Sequence, residues 1–484
     1  MELERVIAAL SPTDVVRGAP VEIRDLAYDT RAVRAGALFF CVRGERADGH
    51  ELAGAAIERG AVALVVERAL PDHAVPQVVV PDSREAMALA ADAFFGHPTR
   101  ELEVAGVTGT NGKTTTAHLL HSVLEADGRR PGLLGTVESR IGGERRPAVR
   151  TTAEAIDLQR AFRAMLDAGN RSCAMEATSH GSELKRLVGV RFAVLVFTNL
   201  TREHLDFHGT MERYFDAKRR LFVDGDPPPP AAVNVDDDYG RRLAEELRAP
   251  GRAPVLTFGL GGDADVRGDE VELDPRGASF RAAGLRVRTR LPGRFNVLNA
   301  LATIAAGRLL GVGDEEIAGG IENLDRVPGR FELVDEGQPF AVVVDYSHKP
   351  DALAGVLHAA RDLARERVIC VFGCGGDRDR GKRPVMGRIA SELSDVVVVT
   401  SDNPRSEEPE AIIEEIVAGI DGRADVVVDR RAAIARAISL ARDGDVVVIA
   451  GKGHEATQEI GGRLLPFDDR EVAREALRRL GAAA

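Results

Sequence analysis

The sequence predicts an α/β protein of three domains. Its 484 residues exceed what one hydrophobic core usually supports, since domains of about 150 residues are typical. Short apolar runs alternate with segments of helical spacing along most of the chain, a pattern that predicts parallel sheets covered by helices. A glycine-rich turn also joins an apolar run to an amphipathic segment at residues 109–112. We therefore expect a small α/β domain, a central phosphate-loop domain with a parallel sheet, and a Rossmann-like C-terminal domain.

Composition excludes several classes of protein. The 64 basic and 76 acidic residues give a net charge of −12, which argues against general binding to nucleic acid. The N-terminus, Met1–Arg5, is charged and lacks the apolar core of a secretory signal, and no apolar run is long enough for a membrane span. We expect a cytoplasmic, monomeric protein without membrane insertion. The cysteines lack the second ligand pair of a zinc site and are expected to be buried free thiols: Cys41, Cys173, Cys370 and Cys374.

The first domain is expected over residues 1–98. Its predicted strands are brief and rich in β-branched or aromatic residues: Ala37–Val42, Ala61–Val66 and Gln77–Val80. Helical spacing predicts helices over Leu52–Arg59 and Ser83–Phe95. Two polar segments are candidate ligand surfaces, although each alone is more typical of an ordinary turn: Tyr28–Arg31 and Gly44–His50.

The second domain, expected over residues 99–326, contains the phosphate loop. A strand from Val104 is followed by the string Thr-Gly-Thr-Asn-Gly-Lys-Thr-Thr over Thr108–Thr115, and then by a predicted helix. Backbone amides at such a helix start bind phosphate. Lys113 would reach the outer phosphates and the Thr114 hydroxyl would contact Mg²⁺. The glycine spacing departs from G-x-x-x-x-G-K-[ST], because Gly106 lies one residue too far upstream, yet the complete string indicates an ATP site.

Polar loops follow two further predicted strands, Arg171–Met175 and Phe192–Thr198. Ligands of doubly wound sheets bind beyond the carboxyl ends of the strands. Glu176 and His204, which lie in these loops, are therefore expected near Thr114. The alternative interpretation makes Glu176 a helix cap and His204 a surface residue.

Two later helices carry polar residues in unusual positions. Helix Met211–Phe222 has Lys218 on its apolar side, where a lysine usually extends along the surface to solvent. Asn296 and Asn299 lie one turn apart in a helix that continues to Leu310, and could bond a purine edge or act as caps. The glycine- and aspartate-rich stretch Gly259–Asp274 is expected to belong to a β-excursion.

The third domain is expected over residues 327–484 and reads as a five-strand, Rossmann-like pattern. The Gly373-x-Gly375-Gly376 segment does not match G-x-G-x-x-G with a downstream acidic ribose ligand, so NAD binding is not expected. The five predicted strands alternate with helices: Ala341–Val344, Val368–Phe372, Val396–Thr400, Ala424–Val428 and Val446–Ile449.

In chain order, the polar strings of this sequence resemble those of the Mur ligases, the ATP-dependent amino-acid-adding enzymes of peptidoglycan precursor synthesis. The resemblance extends over essentially the whole chain and is greatest to the branch that adds the third residue of the peptide. The strings that carry it are Thr108–Thr115, Met175–His180, Asn199–His208, Tyr214–Lys218, Phe295–Asn299, Gly373–Pro384, Asp402–Arg405, Gly451–Glu455 and Phe467–Glu471.

The resemblance implies an acid–amino-acid ligase that uses ATP and Mg²⁺. ATP would phosphorylate the D-glutamate side chain of UDP-N-acetylmuramoyl-L-alanyl-D-glutamate, and an amine of meso-2,6-diaminopimelate would attack the acyl phosphate. The alternative is the same reaction with L-lysine. Arg405 favours diaminopimelate, because an arginine pairs with its distal carboxylate and repels the distal ammonium of lysine. Arg405 could instead be a surface charge at a helix start.

The resemblance also implies roles for individual residues. The implied catalytic residues are Lys113, Glu176, His204 and Lys218, and in the family a lysine matching Lys218 is carbamylated, which makes it an oxygen ligand. The implied metal ligands are Thr114, Glu176, His204 and carbamylated Lys218. The implied ATP-binding residues are Gly109, Thr110, Asn111, Gly112, Lys113, Thr114, Thr115, Asn296, Asn299, Arg330 and Asp345. The implied contacts of the UDP-sugar substrate are Tyr28, Thr30, Glu45, Arg46, Ala47, Thr151, Thr152, Thr178 and Arg186. The implied amino-acid contacts are Arg378, Asp402, Asn403, Pro404, Arg405, Gly451 and Glu455.

The sequence departs from the family pattern at a few neutral positions, notably Ala153 for proline and Ser347 for alanine, and has Arg150 where some members have asparagine. These changes leave the charged and metal-facing groups intact. Two enzymatic or regulatory alternatives remain: a folylpolyglutamate synthetase, which should lack the first domain, and a phosphate-loop ATPase that signals by conformation. A catalytically inactive scaffold is disfavoured, since the candidate catalytic residues are all present.

Overall fold

The computed structural model describes residues 1–44, 47–225, 227–249 and 252–483. Three large sheets, with helices packed on them, confirm the predicted α/β class. The four cysteines are buried free thiols, as predicted. Within the described ranges, none of the helices is both long and apolar enough to cross a membrane.

The N-terminal sheet has five strands in the order β1-β5-β4-β3-β2, with only β1 antiparallel to its neighbour. Asp82 caps α3 by accepting hydrogen bonds from the amides of Arg84 and Glu85, which fixes the helix start at the predicted residue. The strands are β1 (Asp14–Val16), β2 (Asp25–Ala27), β3 (Ala37–Phe40), β4 (Ala61–Val66) and β5 (Gln77–Val79); the helices are α1 (Leu3–Ile7), α2 (Ala53–Glu58) and α3 (Ser83–Phe94).

The central sheet has eleven strands in the order β16-β15-β14-β13-β12-β11-β6-β10-β7-β8-β9. The seven middle strands, β14-β13-β12-β11-β6-β10-β7, are parallel to one another, as predicted. The strands are β6 (Glu103–Thr108), β7 (Pro131–Leu134), β8 (Glu138–Ile141), β9 (Glu144–Pro147), β10 (Ser172–Glu176), β11 (Phe192–Phe197), β12 (Ala231–Asn234), β13 (Val255–Gly259), β14 (Val266–Asp274), β15 (Gly277–Ala282) and β16 (Leu285–Thr289). The prediction of a parallel sheet was incomplete, because antiparallel strands extend the sheet at both edges.

Helices cover both faces of the central sheet. One apolar core contains residues of α4, α10 and α11, and the other contains residues of α5, α8 and α9. The helices of this domain are α4 (Lys113–Ala126), α5 (Ala155–Asp167), α6 (Ser179–Glu183), α7 (Leu205–His208), α8 (Met211–Val223), α9 (Asp238–Leu247), α10 (Arg294–Leu309) and α11 (Asp314–Asn323). This packing holds the parallel strands rigidly, so that the loops at their carboxyl ends lie at defined positions.

The C-terminal sheet has six strands in the order β17-β18-β22-β19-β20-β21. The predicted five-strand pattern was wrong by one strand, because the two-residue β17 is too short to leave a sequence pattern and pairs antiparallel with β18. A separate hairpin, β23–β24, follows the sheet. The strands are β17 (Glu332–Leu333), β18 (Ala341–Asp345), β19 (Val368–Phe372), β20 (Val396–Val399), β21 (Asp425–Val426), β22 (Val446–Ala450), β23 (Thr457–Ile460) and β24 (Arg463–Pro466); the helices are α12 (Pro350–Leu363), α13 (Lys382–Leu393), α14 (Pro409–Val417), α15 (Arg430–Leu440) and α16 (Asp469–Ala483).

A fully buried ion pair ties two C-terminal helices to the sheet. The Arg430 side chain donates to both carboxylate oxygens of Asp469, at 2.7 Å each, and to the carbonyls of Ser401 and Ala450 at strand ends. Both side chains are 0% exposed. Removal of one partner from such a pair leaves an uncompensated buried charge.

We predict that Asp469→Ala lowers the free energy of unfolding of the C-terminal domain by about 3–5 kcal/mol. The matched control is Glu475→Ala, which removes a carboxylate of the same helix whose partner, Arg431, is exposed; both side chains are 49% exposed. That change should cost less than about 1 kcal/mol. Differential scanning calorimetry of the full chain measures both, and equal shifts would contradict the prediction.

Candidate active site

The phosphate loop lies between β6 and α4 and is shaped by two glycines. Gly109 and Gly112 have φ values of +145° and +86°, a region that favours glycine. A Cβ on Gly109 would overlap the Thr198 hydroxyl, and one on Gly112 would lie 2.5 Å from Asn299 Oδ1. The hydroxyl of Thr198 donates to the Asn111 carbonyl at 2.6 Å. The loop is therefore held against the end of β11 and the start of α10.

Lys113 begins α4, and its side chain folds back against this loop. Its ammonium donates to the carbonyls of Gly109 and Thr110, at 2.8 and 2.6 Å. Burial lowers the pKa of Lys113, and the carboxylates of Glu203 and Glu176 oppose this effect. A buried ammonium beside helix-start amides is a site suited to phosphate oxygens.

Glu176 ends β10 and points at the same cleft. The carboxylate is 1% exposed and accepts hydrogen bonds from the amide and the hydroxyl of Thr136, at 2.7 and 3.1 Å. The cap of α6 is Thr178, whose hydroxyl accepts from the Gly181 amide. The interpretation of Glu176 as a helix cap is therefore wrong.

His204 lies in the cleft within a group of aromatic rings. Its ring centroid is 4.6 Å from that of His180 and 5.9 Å from that of Tyr214. Burial lowers the pKa of His204 to about 3, so the ring is neutral near pH 7 and can offer a lone pair to a metal. The alternative of a surface residue is wrong, since His204 lines the cleft.

Lys218 is buried rather than extended to solvent, being 1% exposed. Its ammonium donates to the Gly109 carbonyl at 2.9 Å and lies 4.8 Å from the centroid of the Tyr214 ring. Burial, and secondarily the Lys113 ammonium, lowers the pKa of Lys218 well below its usual value. A surface role for this lysine is therefore excluded.

The donor set fits Mg²⁺ in part. Thr114, Glu176, His204 and Lys218 all line one cleft. Across the described ranges, however, no group of three or more His, Cys, Asp or Glu side chains could hold a metal ion. Mg²⁺ is a hard cation that usually completes its coordination with phosphate oxygens and water. The residues present therefore suit a metal that arrives with a phosphorylated substrate.

This cleft has a volume of about 520 Å³ and joins two domains. The central domain contributes the phosphate loop from Thr110 to Thr115 and the predicted substrate residues Thr151, Thr152, Thr178 and Arg186. The C-terminal domain contributes Arg330, Tyr346, His348 and Lys349. The Arg330 guanidinium lies 4.9 Å from the centroid of the Tyr346 ring.

Three of the predicted nucleotide residues lie behind the cleft. Asn296 and Asn299 are buried and bonded to each other at 3.0 Å, and Asn299 also accepts from the Thr116 hydroxyl. Asp345 accepts from the Phe331 amide at 2.7 Å, and burial raises its pKa. These side chains support the loop and the domain junction from beneath, and their contact with a purine or ribose stays a prediction.

The predicted uridine residues lie farther away. The Tyr28 hydroxyl donates to Asp157 at 2.8 Å, Thr30 begins a 3₁₀ turn, and the Ala47 carbonyl accepts from the Gly44 amide. Glu45 and Arg46 lie outside the described residues. The Tyr28–Asp157 bond joins the N-terminal sheet to α5, so Tyr28 lies at the junction of the first two domains.

The predicted amino-acid residues form a second cluster at the strand ends of the C-terminal domain. Asn403 donates to Glu455 at 2.9 Å and accepts from Lys452. A Cβ on Gly451 would lie 2.5 Å from the carboxylate of the buried Asp402. Pro404 and Arg378 flank this cluster near Gly376 and Gly375.

Arg405 belongs to this second cluster and is held by backbone. It has a φ of +56°, donates to the Gly376 carbonyl at 2.6 Å and lies 3.4 Å from the Glu459 carboxylate. Since α14 begins at Pro409, the alternative of a helix-start charge is wrong. The described lining of the phosphate cleft does not include Arg405.

Tyr346 connects the two clusters. Burial, followed by the neighbouring Glu455 carboxylate, raises the pKa of Tyr346 to about 12. Its ring therefore stays neutral, with Arg330 on one side and His454 at 4.8 Å between ring centroids.

Sequence reasoning missed Glu203, Lys349 and Thr136. The Lys349 ammonium pairs with Glu203 across the domain junction. Burial raises the pKa of Glu203, but the ammonium groups of Lys349 and Lys113 outweigh this effect and lower the pKa to about 2. Thr136 lies shortly after β7, and the rule that placed Glu176 would have found it. Lys349 and Glu203 are 146 residues apart in the sequence, so no local sequence pattern predicts their contact.

Comparisons with known proteins agree with this geometry. Residues 22–95 match the description "Mur ligase family, catalytic domain", 107–307 match "Mur ligase middle domain", and 329–453 match "Mur ligase, glutamate ligase domain". A UDP-N-acetylmuramoyl-L-alanyl-D-glutamate--2,6-diaminopimelate ligase of Solibacter usitatus is 49% identical over 96% of this chain and 95% of its own length. The chain belongs to the Mur ligase family.

Other relatives of this Mur ligase support the assignment. A protein of the same name from Geobacillus thermodenitrificans is 46% identical over 99% of both chains. A solved structure with that name has a TM-score of 0.69 and 33% identity, covering 96% of each chain. Folylpolyglutamate synthase of Mycobacterium tuberculosis has a TM-score of 0.61 at 19% identity, covering 82% of this chain and 94% of its own. That last likeness concerns the fold alone.

We predict that Gly112→Ala destabilises the Mur ligase more than Gly128→Ala, which changes a glycine just beyond the other end of α4. Both have positive φ, +86° and +72°, but only Gly112 has a neighbour that a Cβ would displace. Strain should cost about 1 kcal/mol at each site, and the disturbed Asn299 amide about 1–3 kcal/mol more. Thermal unfolding of both variants measures the difference; equal midpoints would contradict it.

Proposed function

We propose that this Mur ligase uses ATP to join meso-2,6-diaminopimelate to UDP-N-acetylmuramoyl-L-alanyl-D-glutamate. The observation that carries the proposal is the single interdomain cleft that contains Lys113, Glu176, His204 and Lys218. Relatives at 41–49% identity bear the corresponding name. Residues 1–98 would bind the uridine nucleotide, 99–326 ATP, and 327–484 the amino acid.

The first chemical step is phosphoryl transfer. A carboxylate oxygen of D-glutamate attacks the γ-phosphorus of ATP, and ADP leaves. Lys113 and the loop amides neutralise charge that develops on the transferred group. Thr114, Glu176, His204 and carbamylated Lys218 would hold Mg²⁺, which when bound supplies further neutralisation of the phosphate oxygens. Arg330 approaches from the C-terminal side of the cleft.

Substrate residues near the loop would position the attacking carboxylate. The Thr152 hydroxyl donates to the Glu176 carbonyl at 2.9 Å and accepts from the Thr178 amide and hydroxyl. Arg186 donates to the Thr152 carbonyl at 3.1 Å. This bonded set fixes the muramoyl-peptide side of the cleft at one edge of the phosphate site, so that the reacting oxygen and phosphorus are brought into line.

The second step is attack of the amine nitrogen on the acyl carbon, with loss of a proton from nitrogen and departure of phosphate. Arg405 would pair with the distal carboxylate of diaminopimelate, and Asp402 and Glu455 would face its distal ammonium. Because Arg405 lies outside the phosphate cleft, the C-terminal domain must close on the central domain for the amine to reach the acyl phosphate.

We predict that phosphate release from ATP requires both the nucleotide dipeptide and an amine. A coupled phosphate assay with UDP-N-acetylmuramoyl-L-alanyl-D-glutamate and a panel of amines measures this, and meso-diaminopimelate should give the highest kcat/KM. A regulatory ATPase would release phosphate without the amine. Release that ignores the amine would therefore overturn the ligase proposal, and greater activity with L-lysine would overturn the choice of substrate.

We predict that Arg405→Met lowers kcat/KM for diaminopimelate about 10²-fold, since a charge-assisted pair contributes about 2–3 kcal/mol. KM for ATP should stay unchanged, because Arg405 lies outside the phosphate cleft. The control is Arg423→Met, which changes an exposed arginine of the same domain and should leave both constants unchanged. An unaltered kcat/KM in Arg405→Met would exclude the carboxylate contact.

A further inference from the structure

Lys349 is an interdomain cation in the phosphate cleft that the proposed chemistry does not yet use. It precedes Pro350, the first residue of α12, and has extended backbone angles, φ −132° and ψ 156°. Proline restricts the preceding residue to such angles, so the side chain projects from a fixed backbone. From there its ammonium crosses the domain junction to the carboxylate of Glu203.

The charges around Lys349 are unbalanced. Glu203 supplies one of two carboxylates in the described lining of the cleft, against the cationic side chains of Lys113, Arg330 and Lys349. The second carboxylate of the cleft, Glu176, is engaged by the amide and hydroxyl of Thr136. Such an excess of positive charge beside a phosphate loop suits a polyanion.

We propose that Lys349 binds the terminal phosphate of the nucleotide and stabilises the phosphoryl group during its transfer, exchanging the Glu203 carboxylate for phosphate oxygens. This inference rests on the proposed ligase function. Lys349 belongs to the C-terminal domain and lines the phosphate cleft in this structure, so its charge reaches the phosphate only while that domain lies against the central domain. The position of the C-terminal domain and phosphoryl transfer are thereby coupled. Phosphate-loop enzymes use the same principle when another domain or protein supplies a cation to the transferred phosphate.

A purely structural role makes a different prediction. If Lys349 only holds the domains together through Glu203, its removal has no further effect once Glu203 is neutral. A double-mutant cycle of Lys349→Met and Glu203→Gln therefore separates the two roles. A phosphate contact predicts that Lys349→Met lowers kcat about 10²-fold in both backgrounds, the typical loss for one transition-state donor.

Nucleotide binding supplies a readout independent of turnover. Isothermal titration of the full chain measures the affinity for ADP and for a non-hydrolysable ATP analogue. Lys349→Met should weaken the binding of the analogue about tenfold and leave the binding of ADP unchanged. Lys349→Arg should restore part of the loss. The matched control is Lys185→Met, because Lys185 also forms an interdomain ion pair, with Glu85 at 3.3 Å, and has the same 35% side-chain exposure.

The proposal is overturned if Lys349→Met has no effect on kcat in the Glu203→Gln background, or if it weakens the binding of ADP and of the ATP analogue equally. It is likewise overturned if Lys185→Met reproduces the loss. Failure of the ligase proposal itself would appear differently, as wild-type phosphate release that is independent of the amine, while the ADP-against-analogue comparison would still test Lys349.

Discussion

The structure depends on the convergence of positive charge at one end of the central sheet. Lys113, Lys218 and Lys349 line one cleft with the Glu203 carboxylate; Lys218 is 1% exposed and Lys113 is partly buried. Burial of an ammonium group is unfavourable unless it is paired and hydrogen-bonded. Carbonyls of the phosphate loop satisfy Lys113 and Lys218, so the loop conformation and the charged cluster require each other. A phosphate-bearing substrate is the natural partner of such a site.

The sheet order explains why these groups meet. β6, which leads into the phosphate loop, lies between β10 and β11. Glu176 ends β10, and the loop after β11 carries Glu203 and His204. Parallel strands bring their carboxyl ends to one edge, and ligands bind there. The glycines of the loop allow the close approach of β11 and α10, which side chains at these positions would prevent.

Much of this arrangement could be predicted from sequence, for physical reasons that differ by element. Strands such as β4 and β19 are buried, continuous apolar runs, and their bounds were predicted without error. Elements such as β9 were missed because all four residues are exposed, three of them being charged and the fourth a proline. The place of Lys218 on the apolar side of α8 could be predicted, but the local pattern favoured a surface lysine, and neither its burial nor its partners followed from it. Contacts between distant segments, such as the Tyr346 ring beside Glu455, depend on how the strand-end loops of a domain come together and leave no local pattern in the sequence.

The C-terminal sheet also constrains which amines can react. Lys349 follows β18 and Arg405 follows β20, and β22 and β19 lie between these strands. At about 4.8 Å per strand, the two strand ends are about 14 Å apart. Both follow strands of one sheet, so in the proposed mechanism the C-terminal domain holds Lys349 beside the phosphate and Arg405 at a fixed distance from it. An amine that reaches the acyl phosphate while Arg405 holds its other end must be long and must carry a distal anion. In the proposed mechanism, selection of the amine and stabilisation of the phosphoryl group therefore depend on the position of the same domain.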